Sequence, residues 1–182
     1  MGETAISDVI YDNVTVLVRT PDGRSTVWHV LGELVDRDYR MALVDADGRR
    51  IEAIGYDLYD CLQQIRRQLD PAGILLCCNG ARKNARPSGY LSDTLGGTNV
   101  YLDWRWRGGL PRDLVELLDY APPRKIATVE EQENYLRRVD DYQRSFLPIL
   151  NPLQWAAFGY RTLHGWLRRV LWRRRERRSS AS

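Results

Sequence analysis

Three cations and four hydrogen-bonding side chains lie within a stretch of fifteen residues near the middle of the chain. They are Asn79, Arg82, Lys83, Asn84, Arg86, Ser88 and Asp93. Guanidinium and ammonium groups bind carboxylates and phosphates. We therefore expect Arg82, Lys83 and Arg86 to contact acidic groups, Asn79 and Ser88 to add hydrogen bonds, and Asp93 to receive a basic group.

Catalytic motifs are absent from the sequence. It contains no G-x-S-x-G, HExxH, P-loop or GxGxxG pattern, and its two histidines, His29 and His164, lie in different regions. A catalytic site needs a nucleophile or a base with a positioned neighbour. The sequence therefore favours a binding protein with no catalytic residue and no cofactor. An enzyme acting on a phosphorylated or carboxylated small molecule remains an alternative.

The cysteines do not predict a disulfide or a metal site. There are three, Cys61, Cys77 and Cys78, with no CxxC motif and no nearby histidine. An odd number with one adjacent pair is not a disulfide framework. We expect three reduced, apolar side chains, no bound metal and a cytoplasmic protein.

The elements that must position these residues begin with strands and one helix. Alternating apolar runs surround the turn sequences "TPDG" at 20–23 and "DADG" at 45–48, which predicts two hairpins. Leu58, Cys61, Leu62, Ile65 and Leu69 then follow at helical spacing. This helix is predicted to begin after Asp57 as N-cap and to end before Pro71 and Gly73.

Two further apolar runs complete the predicted sheet. Residues 74–78, "ILLCC", are apolar on both faces, which is typical of a central strand, and residues 99–106 form the next strand. The predicted fold class is α+β: a mostly antiparallel or mixed sheet with one packed crossover helix, followed by a helical C-terminal extension. Residues 79–98, between these strands, are then a long loop at a strand end.

Two interpretations of the 79–98 loop remain open. A long loop without regular structure is usually functional or disordered, which favours recognition. Alternatively "SGYLSDTL" forms a helical turn that buries Tyr90, Leu91 and Leu95, and the cations are simply solvated.

The second half of the chain contains mainly helical patterns. Residues 110–119 predict a short helix, and Thr128 with Glu131 forms a capping box for another. We divide the chain into four parts on this basis. They are a flexible N-terminus at 1–7, an α+β domain at 8–120, a linker and capped helix at 121–150, and a basic amphipathic helix and tail at 151–182.

The tail is the most basic part of the chain. Residues 161–182 contain eight Arg and one Glu, a net +7, so the other 160 residues carry −4 of the total +3. Its candidate binding residues are Trp166, Arg168, Arg169, Trp172, Arg173 and Arg174. Such a helix can lie on an anionic membrane, bind a partner groove or contact nucleic acid. Alternatively, its apolar face packs on the domain.

Residues 56–103 and 126–135 resemble a group of small uncharacterised bacterial proteins. The shared pattern is a helix with "CL..IR..L", followed by "C.GAR....PSG....GG"; this chain has Tyr90 where the group has Met. The resemblance implies no assigned activity. It implies an immunity or accessory role near secreted-toxin or injection-system genes.

Together these features predict a non-enzymatic bacterial interaction protein of the immunity or accessory type. It would bind a protein partner through residues 79–98. The alternative is a module held by its tail at an anionic membrane surface, such as the inner face of the inner membrane, or on nucleic acid.

Overall fold

The structure is a computed structural model that describes residues 7–104 and 113–145, together with 150, 152, 155, 156 and 159. The predicted flexible N-terminus lies almost entirely outside the described residues. The chain separates into two compact units. The first is Met1–Asp103 with Asp113–Arg137, and the second is Trp104–Arg112 with Arg138–Ser182.

Four consecutive antiparallel strands form most of the larger sheet. They are β1 (Ser7–Arg19), β2 (Ser25–Val35), β3 (Asp38–Val44) and β4 (Arg50–Gly55). Both predicted hairpin turns are confirmed, since the amide of Gly23 donates to Thr20 O and that of Gly48 donates to Asp45 O. The prediction missed the tight β2–β3 turn, at which Asp36 has a φ of 57°.

Helix α1 (Leu58–Leu69) packs on this sheet as its sequence predicts. Its five periodic apolar residues are all buried in the core with β-strand residues such as Val30 and Met41. The Asp57 carboxylate caps the helix by accepting a hydrogen bond from the Asp60 amide at 2.6 Å. The chain leaves the helix through a 3₁₀ turn, Asp70–Ala72, and then Gly73 in the left-handed conformation.

The strand after α1 was predicted to be central, but it lies at an edge of the sheet. β5 (Leu75–Leu76) has two residues and pairs only with β1, so the strand order is β4-β3-β2-β1-β5. Helix α1 therefore connects the two opposite edges of the sheet. The prediction failed because only the Cys77 amide continues the bonding to β1, at Leu17 O. Cys77 O and the amides of Asn79 and Gly80 bond instead to residues 117–121, and Cys77 and Cys78 are buried without being part of a central strand.

A second, smaller sheet holds the region after residue 84. Its strands are β6 (Ala85–Arg86), β7 (Asn99–Leu102) and β8 (Asp113–Glu116), in that order, with helix α2 (Gly89–Leu95) between β6 and β7. The helix predicted at 110–119 is wrong where the structure describes it. Residues 113–116 pair with β7, and this tertiary pairing outweighs the local helix preference of the sequence.

The last regular element of the described chain is helix α3 (Val129–Arg144). Its predicted capping box is present: Glu131 N donates to Thr128 Oγ1 at 3.2 Å, and Thr128 N donates to Glu131 Oε2 at 3.0 Å. The described residues between 150 and 159 are all helical and exposed. The predicted α+β class is therefore confirmed.

Candidate functional site

The 79–98 segment is not the irregular loop that its composition predicts. It contains the 3₁₀ turn Asn79–Ala81, strand β6 and helix α2. The alternative interpretation was right about a helix and about buried Leu91. It was wrong about Tyr90 and Leu95, whose exposed fractions are 74% and 45%.

Asn79 and Arg82 lie inside the protein rather than on its surface. Asn79 Nδ2 donates to Glu116 O at 3.1 Å, and Arg82 Nη1 donates to Asn79 Oδ1 at 3.4 Å. Burial lowers the pKa of the Arg82 guanidinium, and the charge of Asp113 opposes that shift. The backbone of Arg82 forms an antiparallel bridge with Ile126. These contacts fix the backbone of the turn. They give the guanidinium only one side-chain hydrogen bond among the described residues.

Two more predicted site residues have structural contacts. Arg86 Nε lies 2.5 Å from Oδ2 of Asp103, a carboxylate whose side chain is only 2% exposed. Ser88 is the N-cap of α2, where its hydroxyl accepts a hydrogen bond from the Leu91 amide. The ion pair joins β6 to the residue that follows β7, so Arg86 contributes to the second sheet.

Lys83 and Asp93 are the predicted site residues that remain exposed. The Lys83 ammonium lies 5.5 Å from the centroid of the Tyr135 ring, a cation–π distance. Asp93 lies on α2, three residues after the exposed Tyr90. The structure thus divides the six predicted residues into two buried, two structural and two exposed.

A buried polar cluster that was not predicted from the sequence contacts the 79–98 segment. Arg66 of α1 is 2% exposed, yet its Nη1 donates to Gln63 Oε1 at 2.8 Å and to Gln132 Oε1 at 2.5 Å. Its Nη2 donates to Ala127 O at 2.5 Å. No described carboxylate lies within 4.0 Å of this guanidinium, so neutral oxygens alone accept its hydrogen bonds.

Gln132 extends the cluster to the 79–98 segment. Its Nε2 donates to Ala85 O at 2.7 Å and to Gly80 O at 3.2 Å, and Tyr59 Oη also donates to Ala85 O. We call Tyr59, Gln63, Arg66 and Gln132, with the carbonyls they bind, the Arg66 network. The signal in the sequence was polar residues at helical spacing, Tyr59, Gln63 and Arg66, beside the apolar face of α1.

All three thiols are buried and free, as predicted. Burial raises the pKa of Cys61 to about 12 and that of Cys78 to about 11, so neither is a thiolate at neutral pH. A thiol needs a lowered pKa to act as a nucleophile or a metal ligand. Cys61 instead donates a hydrogen bond to Tyr39 O at 3.2 Å.

The described part of the chain offers groups for binding rather than for metal chemistry. In residues 7–104 and 113–145, no three His, Cys, Asp or Glu side chains lie close enough together to hold a metal ion. The predicted tail residues lie outside the described residues. They are Trp166, Arg168, Arg169, Trp172, Arg173 and Arg174.

Comparison with known proteins identifies no family for this chain. No protein-family model matches the chain, and no curated protein matches it significantly. The family resemblance of residues 56–103 stays a prediction, and any function must be argued from the contacts described above.

Proposed function

We propose that this chain is a non-enzymatic interaction protein that binds a protein partner through the outer face of the 79–98 segment. One observation carries the proposal: Tyr90 and Leu95 are 74% and 45% exposed on α2. Tyr56, 68% exposed, lies at the start of α1. We call these three side chains the α2 surface.

Tyr56 and Leu95 of the α2 surface lie on the two sides of the point where the helices meet. Tyr56 directly precedes the N-cap of α1, and Leu95 directly precedes Gly96. The Leu58 amide donates to Gly96 O at 2.8 Å, so the end of α2 is tied to the beginning of α1. The two exposed apolar side chains therefore lie at one junction.

Helix α2 is held rigidly enough to present these side chains to a partner. Ser88 caps its first turn, and the Gly97 amide donates to Leu91 O at its last turn. Exposed tyrosines on a fixed backbone are common anchors of protein interfaces because they bury a large area at a small entropic cost. The resemblance of residues 56–103 supports a partner of the kind that immunity or accessory proteins bind.

The test is capture of a partner from native cell lysate, followed by binding of the purified pair. The bait would be the full chain, either unchanged or with Tyr90→Ala and Leu95→Ala. The matched control carries Val27→Ala and Ile54→Ala, two sheet residues that are 50% and 54% exposed. We expect the α2 variant to weaken binding by at least about tenfold and the control to bind normally, because an anchor residue contributes more than 1 kcal/mol.

Two results would argue against this proposal. Equal capture by the unchanged chain and the α2 variant would mean that the partner binds elsewhere. Equal loss in both variants would indicate a general effect of removing apolar surface. Far-UV circular dichroism must first establish that both variants are folded.

The charge distribution supports a second candidate function. The net +7 of residues 161–182 against −4 elsewhere suits attachment of the tail to an anionic surface, and with it a peripheral location at the inner membrane. Among the described residues, no helix is long and apolar enough to cross a bilayer.

Vesicle sedimentation with and without anionic lipid would test attachment by the tail. We expect Arg173→Gln with Arg174→Gln to reduce binding to phosphatidylserine vesicles about thirtyfold, since each of the two surface charges contributes about 1 kcal/mol. Arg137→Gln with Arg138→Gln, on exposed residues of α3, is the control. Binding to duplex DNA but not to vesicles would instead support the nucleic-acid alternative.

A further inference from the structure

One edge of the larger sheet is open in the part of the chain that the structure describes. β4 (Arg50–Gly55) pairs with β3 on one side, and no described strand pairs with its other side. A depression in the surface lies beside β4, lined by Arg40, Glu52, Ala53, Ile54 and Gln64. An open edge presents unpaired N–H and C=O groups, so it can pair with a strand of another chain.

The pairing of β4 with β3 decides which backbone groups face the open edge. Where the hairpin closes, the Asp45 amide donates to Arg49 O, so these two residues form a hydrogen-bonded pair of the ladder. Such pairs recur at every second residue of an antiparallel ladder. The N–H and C=O groups of the residues between them, Arg50, Glu52 and Ile54, therefore point away from β3.

The contacts of these three residues agree with that direction. Ile54 O accepts a hydrogen bond from Gln64 Nε2 of α1 at 2.8 Å, as a carbonyl that faces away from β3 can do. Among the described residues, the backbone groups of Arg50 and Glu52 form no hydrogen bond outside the ladder. They are therefore available to a strand that joins the sheet.

The exposed side chains on this strand carry opposite charges two residues apart. Arg50 Nη2 lies 3.1 Å from Glu52 Oε2, and the two side chains are 46% and 53% exposed. Residues at i and i+2 of a strand share a face of the sheet. When the same strand runs antiparallel to this one, its order of charges is reversed. The edge is therefore complementary in charge to a second copy of itself.

The hydrogen bonds and the charges together select one register. Outward-facing residues must lie opposite one another, so a two-fold axis passes through a residue of β4. An axis at Arg50 or Glu52 would place like charges directly opposite each other, which is unfavourable. An axis at Ala53 or later would use the Ile54 carbonyl, which already bonds to α1. An axis at Ile51 places Arg50 opposite Glu52 of the second copy.

We propose that two copies of this chain dimerise through their β4 edges, antiparallel and with the two-fold axis at Ile51. Arg50 of each copy exchanges both backbone hydrogen bonds with Glu52 of the other. Their side chains form a ring of alternating charges on one face, and the larger sheets of the two copies become one continuous sheet. The dimer does not use the α2 surface, so it is independent of the proposed function.

Sedimentation velocity of the full-length chain over a range of concentrations tests the dimer. The unchanged chain should shift from its monomer mass of 21.1 kDa towards twice that mass as the concentration rises. Arg50→Glu should weaken the dimer at least about tenfold, because it places glutamates opposite each other in both pairs. Arg24→Glu is the matched control, since exposed Arg24 pairs with Asp22, also two residues away, but outside β4.

A charge swap tests the register. The variant with both Arg50→Glu and Glu52→Arg restores the ring of charges, so it should dimerise like the unchanged chain. The single variants Arg50→Glu and Glu52→Arg should each dimerise poorly, but they should form a mixed dimer when combined, because one presents only acids and the other only arginines. A swapped variant that stays monomeric would overturn the register.

Glu52→Pro tests the backbone pairing, with Glu52→Gln as the matched control for the lost charge. Proline removes an N–H that faces the open edge, which the monomer tolerates at an edge strand. We expect Glu52→Pro to abolish the dimer and Glu52→Gln only to weaken it. Far-UV circular dichroism must first establish that each variant is folded.

Three results would overturn the β4 dimer. One is an unchanged chain that stays monomeric at every concentration. Another is equal dimerisation by the unchanged chain and by Arg50→Glu. The third is loss of the dimer on Tyr90→Ala with Leu95→Ala but not on Arg50→Glu, which would place the contact on the α2 surface.

Discussion

Arg66 and Arg82 are both buried arginines without an ion pair among the described residues, yet their surroundings differ. Arg66 donates to the oxygens of Gln63, Gln132 and Ala127 at 2.5 to 2.8 Å. Among the described residues, Arg82 has one long side-chain hydrogen bond, to Asn79, and its Nε has no acceptor. Burial lowers the pKa of both guanidiniums, so neither position is favourable for a charge by itself.

The difference separates a buried charge whose hydrogen bonds are accepted within the described chain from one whose hydrogen bonds are largely unmade there. The Arg66 network ties α1, α3 and the 79–98 segment together, and every acceptor in it belongs to the chain. At Arg82 the described residues accept few of the hydrogen bonds that the guanidinium can donate. Such an unsatisfied group lowers stability.

The largest effect should come from Arg66→Met. The substitution leaves the oxygens of Gln63, Gln132 and Ala127 buried without their donor, so we expect a loss of about 3 to 5 kcal/mol in the free energy of unfolding. Urea unfolding followed by tryptophan fluorescence would measure it. The control is Arg67→Met at the adjacent, 53% exposed residue, whose pair with Glu133 should contribute less than about 1 kcal/mol. Similar losses in both variants would contradict the role of the network.

Gly97→Ala tests how closely the end of α2 packs against the beginning of α1. Gly97 has a φ of +74°, and an added Cβ would lie 2.9 Å from Asp57 Cγ and 3.0 Å from Tyr59 N. Gly48 has a φ of +81° and open space, so Gly48→Ala measures the cost of the backbone conformation alone. We expect about 1 kcal/mol for Gly48→Ala and about 2 to 4 kcal/mol for Gly97→Ala. Equal melting temperatures for the two variants would mean that the junction of α1 and α2 accommodates the added Cβ with little strain.

The pH dependence of stability tests how well water is excluded around Cys78, which lies in the electric field of Arg66. Burial raises the pKa of Cys78 from 9.0 to about 11, so the unfolded chain loses this proton first. The stabilisation is complete below about pH 9 and is lost as the pH rises towards 11, by about 1.4 kcal/mol per pH unit. Cys78→Ala should remove this part of the decline in urea unfolding. Parallel curves for the two proteins would mean that the thiol is accessible to water.

Arg82→Met should have the smallest effect on stability. Replacing a poorly compensated buried charge with an apolar side chain of similar size is often neutral or stabilising. We expect unfolding free energies within about 1 kcal/mol of the unchanged chain, or higher. A loss as large as that of Arg66→Met would erase the distinction between the two arginines, and would make Arg82 a structural residue.

Local patterns were sufficient to predict several elements. The hairpin turns, the apolar face of α1, the Asp57 cap and the Thr128–Glu131 capping box all depend on residues close together in sequence. The class of the fold followed from the order of these elements. Tertiary partners decided the failures. The chain after β5 bonds to residues 117–121 instead of extending a central strand, and β8 is a strand because it pairs with β7.

The site at residues 79–98 stays a prediction, and the placement of its side chains differs from what composition suggests. Composition marked residues 79–98 as unusual, and the exposed Lys83 and Asp93 agree with a surface role. Composition could not show that Arg82 and Asn79 turn inwards, because that depends on the carbonyl of Glu116. Similarly, Arg66 looks like any charged residue of an amphipathic helix until Gln132, 66 residues later, is placed against it.

The pairing of residues 79–83 with residues 117–126 has a consequence for how the protein is made. The first four strands are joined by short turns, so their contacts are local and can form quickly. The Asn79 amide, in contrast, bonds to Asp119 O, and the Lys83 amide bonds to Lys125 O, about forty residues later. During synthesis, the sheet can therefore assemble before the ribosome has added residue 117, whereas the Arg82 turn waits for it. The Arg82 turn of a nascent chain therefore forms late, after the first four strands can already pair.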